Sequence, residues 1–311
     1  MKAYVYENAE IERVLRFTPE QRGRAFVALP DTFEQTYNAR DADLFWIPLD
    51  LGHVEAYHGG AFDIYLRLPM LSNWRGNEAR HVAYFCSDGA DPVGLPLIMF
   101  RQSFFKNRCD QNVIAWPYAV DDYGNLVTGD FRELPYDVSF VGSRVSSPSR
   151  IASFDSVYHT RKLNSFLDDS KLHWGSVENT DVGKRRKALF VKSLAESKLV
   201  LAARGGGLSS YRFFEAMSAG RVPVLVADDW ELPHADLIDW PSCIVQLAER
   251  DAGKAGPILL DYLARTSDDE LAAMGCRARQ AWCAYLNPVV WPQLMLECVR
   301  GKLDNPMLAL G

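Results

Sequence analysis

Short apolar runs, bounded by polar residues, recur along the chain with helix-length stretches between them. A strand-like AYVYE opens the sequence, and ADLFWIPL (Ala42–Leu49), HVAYFCS (His81–Ser87), LPLIMF (Leu95–Phe100) and NVIAWP (Asn112–Pro117) follow. Continuous apolar runs of this length predict strands buried on both faces, and their alternation with helix-length segments predicts a parallel sheet. A helix is expected around Pro30 to Arg40, where Asp31 can cap and Phe33 and Tyr37 lie four apart.

The pattern breaks after Pro117. YAVDDYGNLVTGDFRELPYD is dense in turn formers and marks a boundary near residues 118 to 136. Alternation then resumes. VSFVGSR predicts a strand and turn, SRIASFDSVYHTRKLNSFL a helix, KLHWGS a short strand, KRRKALFVKSLAES a basic amphipathic helix and KLVLAA a strand. The loop RGGGLSS, a helix with Gly220 at its C-terminal cap and the strand VPVLVAD come next. Two α/β domains in tandem with a cleft between them are expected, residues 1–135 and 136–311, with terminal helices that cross back.

Composition narrows the class. The 311 residues, 48% hydrophobic and 24% charged with a net charge of −6, suit a soluble globular chain and disfavour broad nucleic-acid binding. The N-terminus reads as a strand rather than a signal peptide, and no apolar window approaches a membrane span. Six scattered cysteines without a CxxC pair or a histidine cluster predict buried thiols, not a zinc site or disulfide framework. A cytoplasmic location is expected.

The chemistry concentrates at strand ends, where parallel sheets bind ligands. In LAARGGGLSSYRFFE a strand runs through Arg204 and the glycines from Gly205 to a helix entrance at Ser209 and Ser210, with Arg212 and Glu215 in the helix. Glycines let the backbone approach a ligand, helix N–H groups attract phosphate, and arginines add charge-assisted hydrogen bonds. Glu215 could accept from a ribose diol, so a nucleoside diphosphate suits the set. A second loop, VSFVGSRVSSPSR, ends its strand with Gly142 and supplies Arg144 and Arg150. The plain alternative is an ordinary Gly-rich turn with solvated arginines. The absence of GxxxxGK[ST] argues against a P-loop hydrolase, and the absence of GxGxxG against a dinucleotide-dependent epimerase.

A base for a sugar hydroxyl would need a carboxylate or a histidine. Asp229 and Glu231, in the cluster after VPVLVAD, are candidates; adjacent aspartates there also suit turn caps. Asp88 is a third, with Asp50, His53 and His81 as further possibilities in the first domain. His53 and His81 adjoin apolar strands and read more plainly as core or edge histidines. Tyr6, Trp46 and Trp74 are aromatic candidates for stacking on acceptor sugars, with core packing the plainer role for Trp46. Arg67, Arg75, Arg80, Arg101 and Arg108 would be consistent with an acidic acceptor.

The block LAARGGGLSSYRFFEAMSAGRVPVLVADDWELPHADLIDW resembles the signature region of exostosin-like glycosyltransferases, and FVGSR, KAYVYE, ARDADLFWIPL, WRGNEARHVAYFCSDGA and FFKNRCDQNVIAWPY follow the same family's order of landmarks. The resemblance spans roughly residues 2–245 and is more specific in the second domain. It implies a glycosyltransferase-B-like α/β fold, two Rossmann-like domains facing a central cleft, and inverting transfer from a nucleotide-sugar without an essential metal. It also implies UDP as the nucleotide, no further cofactor, and Arg204, Ser210, Arg212 and Arg144 on the diphosphate with Glu215 on the ribose.

Membrane-anchored secretory members of the family carry an N-terminal anchor that this sequence does not show. The expectation is therefore a bacterial-type enzyme that extends an oligo- or polysaccharide acceptor of the cell surface from the cytoplasmic side. The basic run Lys184–Lys187 could touch an anionic membrane peripherally, although a solvated helix face is the plainer reading. The alternative function is a nucleotide- or carbohydrate-binding protein of the same fold that has lost catalysis.

Overall fold

The computed structural model describes residues 1–58, 61–86, 88, 94–106, 112–128, 130–169 and 180–304. The chain divides into two compact units, each built on a parallel sheet. The first is Met1–Pro117 with Glu231–Pro233 and the segment from Val289; the second is Tyr118–Trp230 with His234–Pro288.

In the first unit the order is β1 (Lys2–Val5), α1 (Asn8–Leu15), α2 (Pro19–Ala25), β2 (Glu34–Thr36), β3 (Leu44–Asp50), α3 (Leu51–His58), α4 (Ala61–Arg67), β4 (His81–Phe85), β5 (Ile98–Arg101) and β6 (Val113–Ala115). The strands lie in the order β2-β1-β3-β4-β5-β6, every pair parallel. All seven residues of β3 are buried, as a strand covered on both faces requires. In α1 the buried Ile11, Val14 and Leu15 recur at helical spacing, and a Thr18–Gln21 capping box with Pro19 starts α2.

The helix expected over Pro30 to Arg40 is not formed. Glu34–Thr36 pairs in register with Lys2–Tyr4, and the ladder outweighs the weak spacing of Phe33 and Tyr37. Tyr6, Trp46 and Trp74, candidate sugar platforms, are instead core residues, 2%, 0% and 4% exposed. Tyr6 and Trp74 pack around the fully buried His81, which stacks on Tyr6 and Phe45 and lies 4.4 Å from the Trp74 ring, and Trp46 packs on Phe33. Arg67 and Arg80 donate to backbone carbonyls of Val14 and Asp43, and Arg101 is buried over Phe85, so these three serve the fold. Arg108 lies outside the described residues.

The second unit contains β7 (Tyr136–Gly142), α5 (Pro148–His159), β8 (Ser165–Asp169), α6 (Asp181–Ala195), β9 (Ser197–Ala203), α7 (Tyr211–Ser218), β10 (Val222–Val226), β11 (Val245–Leu247), α8 (Ala255–Arg265) and α9 (Asp268–Ala281). Its strand order is β11-β10-β9-β7-β8, again all parallel. The segment from Tyr118 that reads as a boundary packs here, with Tyr123 and Phe131 buried. The helix expected to run through NSFL stops at His159, and Ser165–Asp169 instead becomes an edge strand on β7. The expected strand KLHWGS lies outside the described residues.

The last helix, α10 (Trp291–Leu303), belongs to the first unit, where Thr32 donates to the Pro292 carbonyl at 2.7 Å and Trp291 meets Trp116 edge to face. Of the expected buried thiols only Cys243 is buried. Cys86 and Cys298 are half-buried, Cys276 and Cys283 exposed, and Cys109 lies outside the described residues. Among the described residues no helix is long and apolar enough to cross a membrane.

Candidate functional site

Strand order locates the crevice of the second unit. β7 connects outward to β8 on one side, and β9 leads to β10 and β11 on the other. The point where the order reverses therefore lies between β7 and β9, where an open parallel sheet binds ligands at its carboxyl edge. The two loops singled out in the sequence, after Gly142 and after Ala203, are the two that border it.

Arg150 ties these loops together. It is 6% exposed and donates to the Ala203 carbonyl through Nε (3.1 Å) and Nη2 (2.7 Å), and to the Ser143 carbonyl and Ser146 Oγ through Nη1. Ser210 Oγ lies 3.4 Å from Nη2, and a Cβ on Gly205 would stand 3.3 Å from it. Ser147 Oγ adds a bond to the Arg204 carbonyl at 2.8 Å. The guanidinium is therefore a strut beneath the Gly loop.

Arg212 is different. Its Nε donates to the Val141 carbonyl at 2.9 Å and its guanidinium lies on the Phe140 ring, 4.3 Å from the centroid. Neither terminal nitrogen has a hydrogen-bond partner among the described residues. Gly142 makes room: its φ is +144°, and a Cβ there would fall 1.7 Å from Arg212 Nη2. Ser210 is the N-cap of α7, yet its side chain makes no cap bond to the helix, and Ser209 Oγ is buried without a partner among the described residues. A helix entrance beside a fixed cation is an arrangement that can hold an anion.

Glu215, one turn into α7, is partly buried, and its carboxylate accepts no hydrogen bond among the described residues. Burial pushes its carboxyl up to about 7, against the pull of Arg212 and Lys187 and with a small push from Asp121. The neighbours of Glu215 are the residues that sequence reading missed. Lys187 pairs with Asp121 at 2.7 Å and lies over the Tyr123 ring, and Ser218 Oγ donates to the Asp121 carbonyl while accepting from Tyr123 N. Only the fold joins this turn-rich segment to α6 and α7. Lys187, expected on a solvated or membrane-facing helix face, is thus turned to the site; Lys184 remains exposed beside Asp181.

Other expected site residues stand elsewhere. Arg144 is held by Asp169 (Nε to Oδ2, 2.9 Å) and Asp155, which directs its guanidinium to carboxylates instead of the crevice. Arg204 pairs with Glu249 at 3.3 Å, leaving Nε buried and unpartnered. The Asp228 and Glu249 carboxylates each accept the other residue's backbone N–H, so this part of the acidic cluster caps a turn. Asp229, exposed at φ +53°, belongs to the second unit, whereas Glu231 falls in the first, its N–H donating to the Phe104 carbonyl. Asp88 is exposed, and its carbonyl accepts from Ser103 at 3.4 Å. Among the described residues no group of three His, Cys, Asp or Glu side chains could hold a metal ion.

The structure thus holds two Rossmann-like units, the second with a cation and a helix entrance at its switch point. The exostosin GT47 domain matches residues 165–261. The chain is 35% identical over 113 residues to the exostosin-1 homolog of Caenorhabditis elegans, covering 36% of this chain and 28% of that protein. It is 36% identical over 278 residues to the probable glucuronoxylan glucuronosyltransferase IRX7 of Arabidopsis thaliana, covering 78% of this chain and 60% of that protein. It therefore spans less than two thirds of either relative. A glycosyltransferase from Rickettsia africae, 10% identical, aligns over 98% of both chains at a TM-score of 0.47. By its sequence matches the chain is similar to exostosin-like proteins, and residues 165–261 carry the match to the exostosin GT47 domain.

Proposed function

We propose that the protein is a glycosyltransferase that moves a sugar from a nucleotide-sugar, a UDP-sugar, to a glycan acceptor with inversion at the anomeric carbon. The observation that carries the reading is Arg212, a cation fixed by Val141 and Phe140, one turn from the Glu215 carboxylate; among the described residues neither its terminal nitrogens nor that carboxylate has a hydrogen-bond partner. Arg212, Ser209 and the N-terminal end of α7 would hold the diphosphate and stabilise it as it leaves, in the role a metal ion plays elsewhere. Glu215 would accept from the ribose hydroxyls, and Arg150, Gly142 and Gly205 would keep the cradle in shape. Arg204 and Ser210 would border the diphosphate, and Arg144 would fix the end of β8 through its carboxylates. Extension of a cell-surface polysaccharide on the cytoplasmic side is the setting we assign, supported by the glycan named for the Arabidopsis relative.

Calorimetric titration with UDP and a panel of UDP-sugars, on the wild type and on Arg212→Ala, tests the reading. UDP binding that collapses in the variant is the expected result, and the UDP-sugar that is turned over names the donor. Binding without turnover would leave a nucleotide-binding protein, and no binding of any nucleotide would overturn the site.

A further inference from the structure

The first unit also has a switch point. β1 leads to β2 on one side and β3 leads to β4 on the other, so the crevice lies between the carboxyl ends of β1 and β3. Asp50 is the last residue of β3, and His53 is in the first turn of α3. We propose that His53, oriented by Asp50, is the general base that takes the proton from the acceptor hydroxyl; this rests on the transferase reading above.

Asp50 is 6% exposed and fully engaged. Its Oδ1 accepts from the N–H groups of Gly52 (2.9 Å) and Cys86 (2.8 Å), and its Oδ2 lies 3.0 Å from His53 Nδ1. An ionised carboxylate only accepts, so Nδ1 carries the hydrogen and the lone pair of the neutral ring is on Nε2. The His53 side chain is 51% exposed, and Nε2 has no partner among the described residues. His81 shows what a structural histidine looks like in the same sheet: it is wholly buried, with one nitrogen on Tyr6 Oη at 2.7 Å and the other on the Asn77 carbonyl at 2.8 Å.

The strand is built irregularly to reach this position. Trp46 pairs with Val82, but Asp50 pairs with Tyr84, so β3 advances further than β4 between the two registers. Pro48 lies in that gap with no N–H to give the ladder, and its carbonyl accepts from Val27. Such irregularities re-aim a strand end and recur beside active sites. The carboxylate candidates lack these features: Asp88 and Asp229 are exposed, and neither is the strand-end group that orients a histidine.

The chemistry balances without any further reactant. The acceptor oxygen forms its bond to the anomeric carbon as the bond from that carbon to the phosphate oxygen breaks. The nucleoside diphosphate leaves with the electron pair, and the hydroxyl proton passes to His53 Nε2 and then to solvent.

The test uses the full chain as wild type, His53→Ala, His53→Gln and Asp50→Asn, with UDP affinity by calorimetry and UDP release from the UDP-sugar panel in the presence of simple glycosides as acceptors. The proposal expects kcat to fall by roughly 10²–10⁴-fold in both His53 variants, with UDP affinity and melting temperature unchanged. His53→Gln guards against a mere loss of packing, since it keeps a donor for Asp50 but cannot take a proton. In Asp50→Asn, kcat should fall while KM holds, and ring ¹⁵N shifts should show that His53 loses its preference for the Nδ1–H tautomer. A turning-over wild type whose His53 variants keep kcat within about threefold would overturn this proposal and leave the transferase reading standing. A wild type that releases no UDP from any donor would overturn both.

Discussion

The two ends of α7 carry two arginines with opposite fates. Arg212, in the first turn, makes one hydrogen bond among the described residues, from Nε, and lies on an aromatic ring. Arg221, just past Gly220, is 0% exposed and donates to the carbonyls of Leu194 (Nε, 2.7 Å), Leu126 and Ala195 (Nη2, 2.7 and 3.1 Å). Leu194 and Ala195 end α6, so this cation sits at the negative end of a helix dipole. Burial pulls its pKa down to about 10, still charged at neutral pH. Arg221 keeps one spare nitrogen, Nη1, and lies over Phe131, but its other donors serve three backbone carbonyls and the residue is wholly buried, which makes it scaffold; Arg212 gives a single bond among the described residues and is not wholly buried.

The strongest way to break this contrast is to exchange the losses. Arg221→Met should cost about 3 kcal/mol of stability or more, because three carbonyls, one buried and two partly buried, lose their donor at once. Urea unfolding measures it, and the fraction still folded should bind UDP as the wild type does. Arg212→Ala should do the reverse: UDP affinity should fall by roughly 30- to 150-fold, about 2–3 kcal/mol for charge-assisted bonds to the diphosphate, with the unfolding midpoint nearly unmoved. If the two variants lose the same property, the distinction fails.

A smaller effect sharpens the claim that Arg212 is held in place. Gly142→Ala introduces a methyl at φ +144° into the space occupied by the Arg212 guanidinium. Strain at a backbone conformation nearly reserved for glycine should cost about 2 kcal/mol. UDP affinity should also fall, since the guanidinium must leave the Phe140 face. Unchanged UDP binding in a destabilised variant would mean that the position of Arg212 does not matter.

Much of this site was legible in the sequence because it is local. A strand, a glycine turn and a helix entrance are contiguous, so RGGGLSSYRFFE already holds the cradle, Arg212 and Glu215 in order. The partners of Glu215 were not legible: Asp121 and Tyr123 sit in a stretch that reads as an interdomain boundary, and only the packing of Ser218 against it brings them in. Arg144 looked equal to Arg212 because both follow strand-end glycines or serines; Asp155 on α5 and Asp169 on β8, distant in sequence, decide otherwise. At the fold level, long buried runs such as β3 were plain, whereas β2 and β8 were taken for helix because short edge strands depend on a neighbour that periodicity cannot see.

The finest test of the contrast is protonation at Glu215. Its folded carboxyl is raised from 4.5 to about 7, so the native state holds that proton more tightly than the unfolded chain does. The stabilisation this gives is complete below about pH 4.5 and is lost as pH rises through 7. Glu215→Gln, which mimics the protonated form, should therefore gain stability relative to wild type at pH 8 but not at pH 5. Ligand binding runs the other way, because ribose hydroxyls donate to the ionised carboxylate, which Arg212 and Lys187 favour and Asp121 opposes. UDP affinity of the wild type, divided by that of Glu215→Gln to cancel the titration of UDP itself, should rise about tenfold, or about 1.4 kcal/mol, between pH 6 and pH 8. A flat ratio would remove the ribose from Glu215 and leave the carboxyl as a companion of Lys187 and Tyr123.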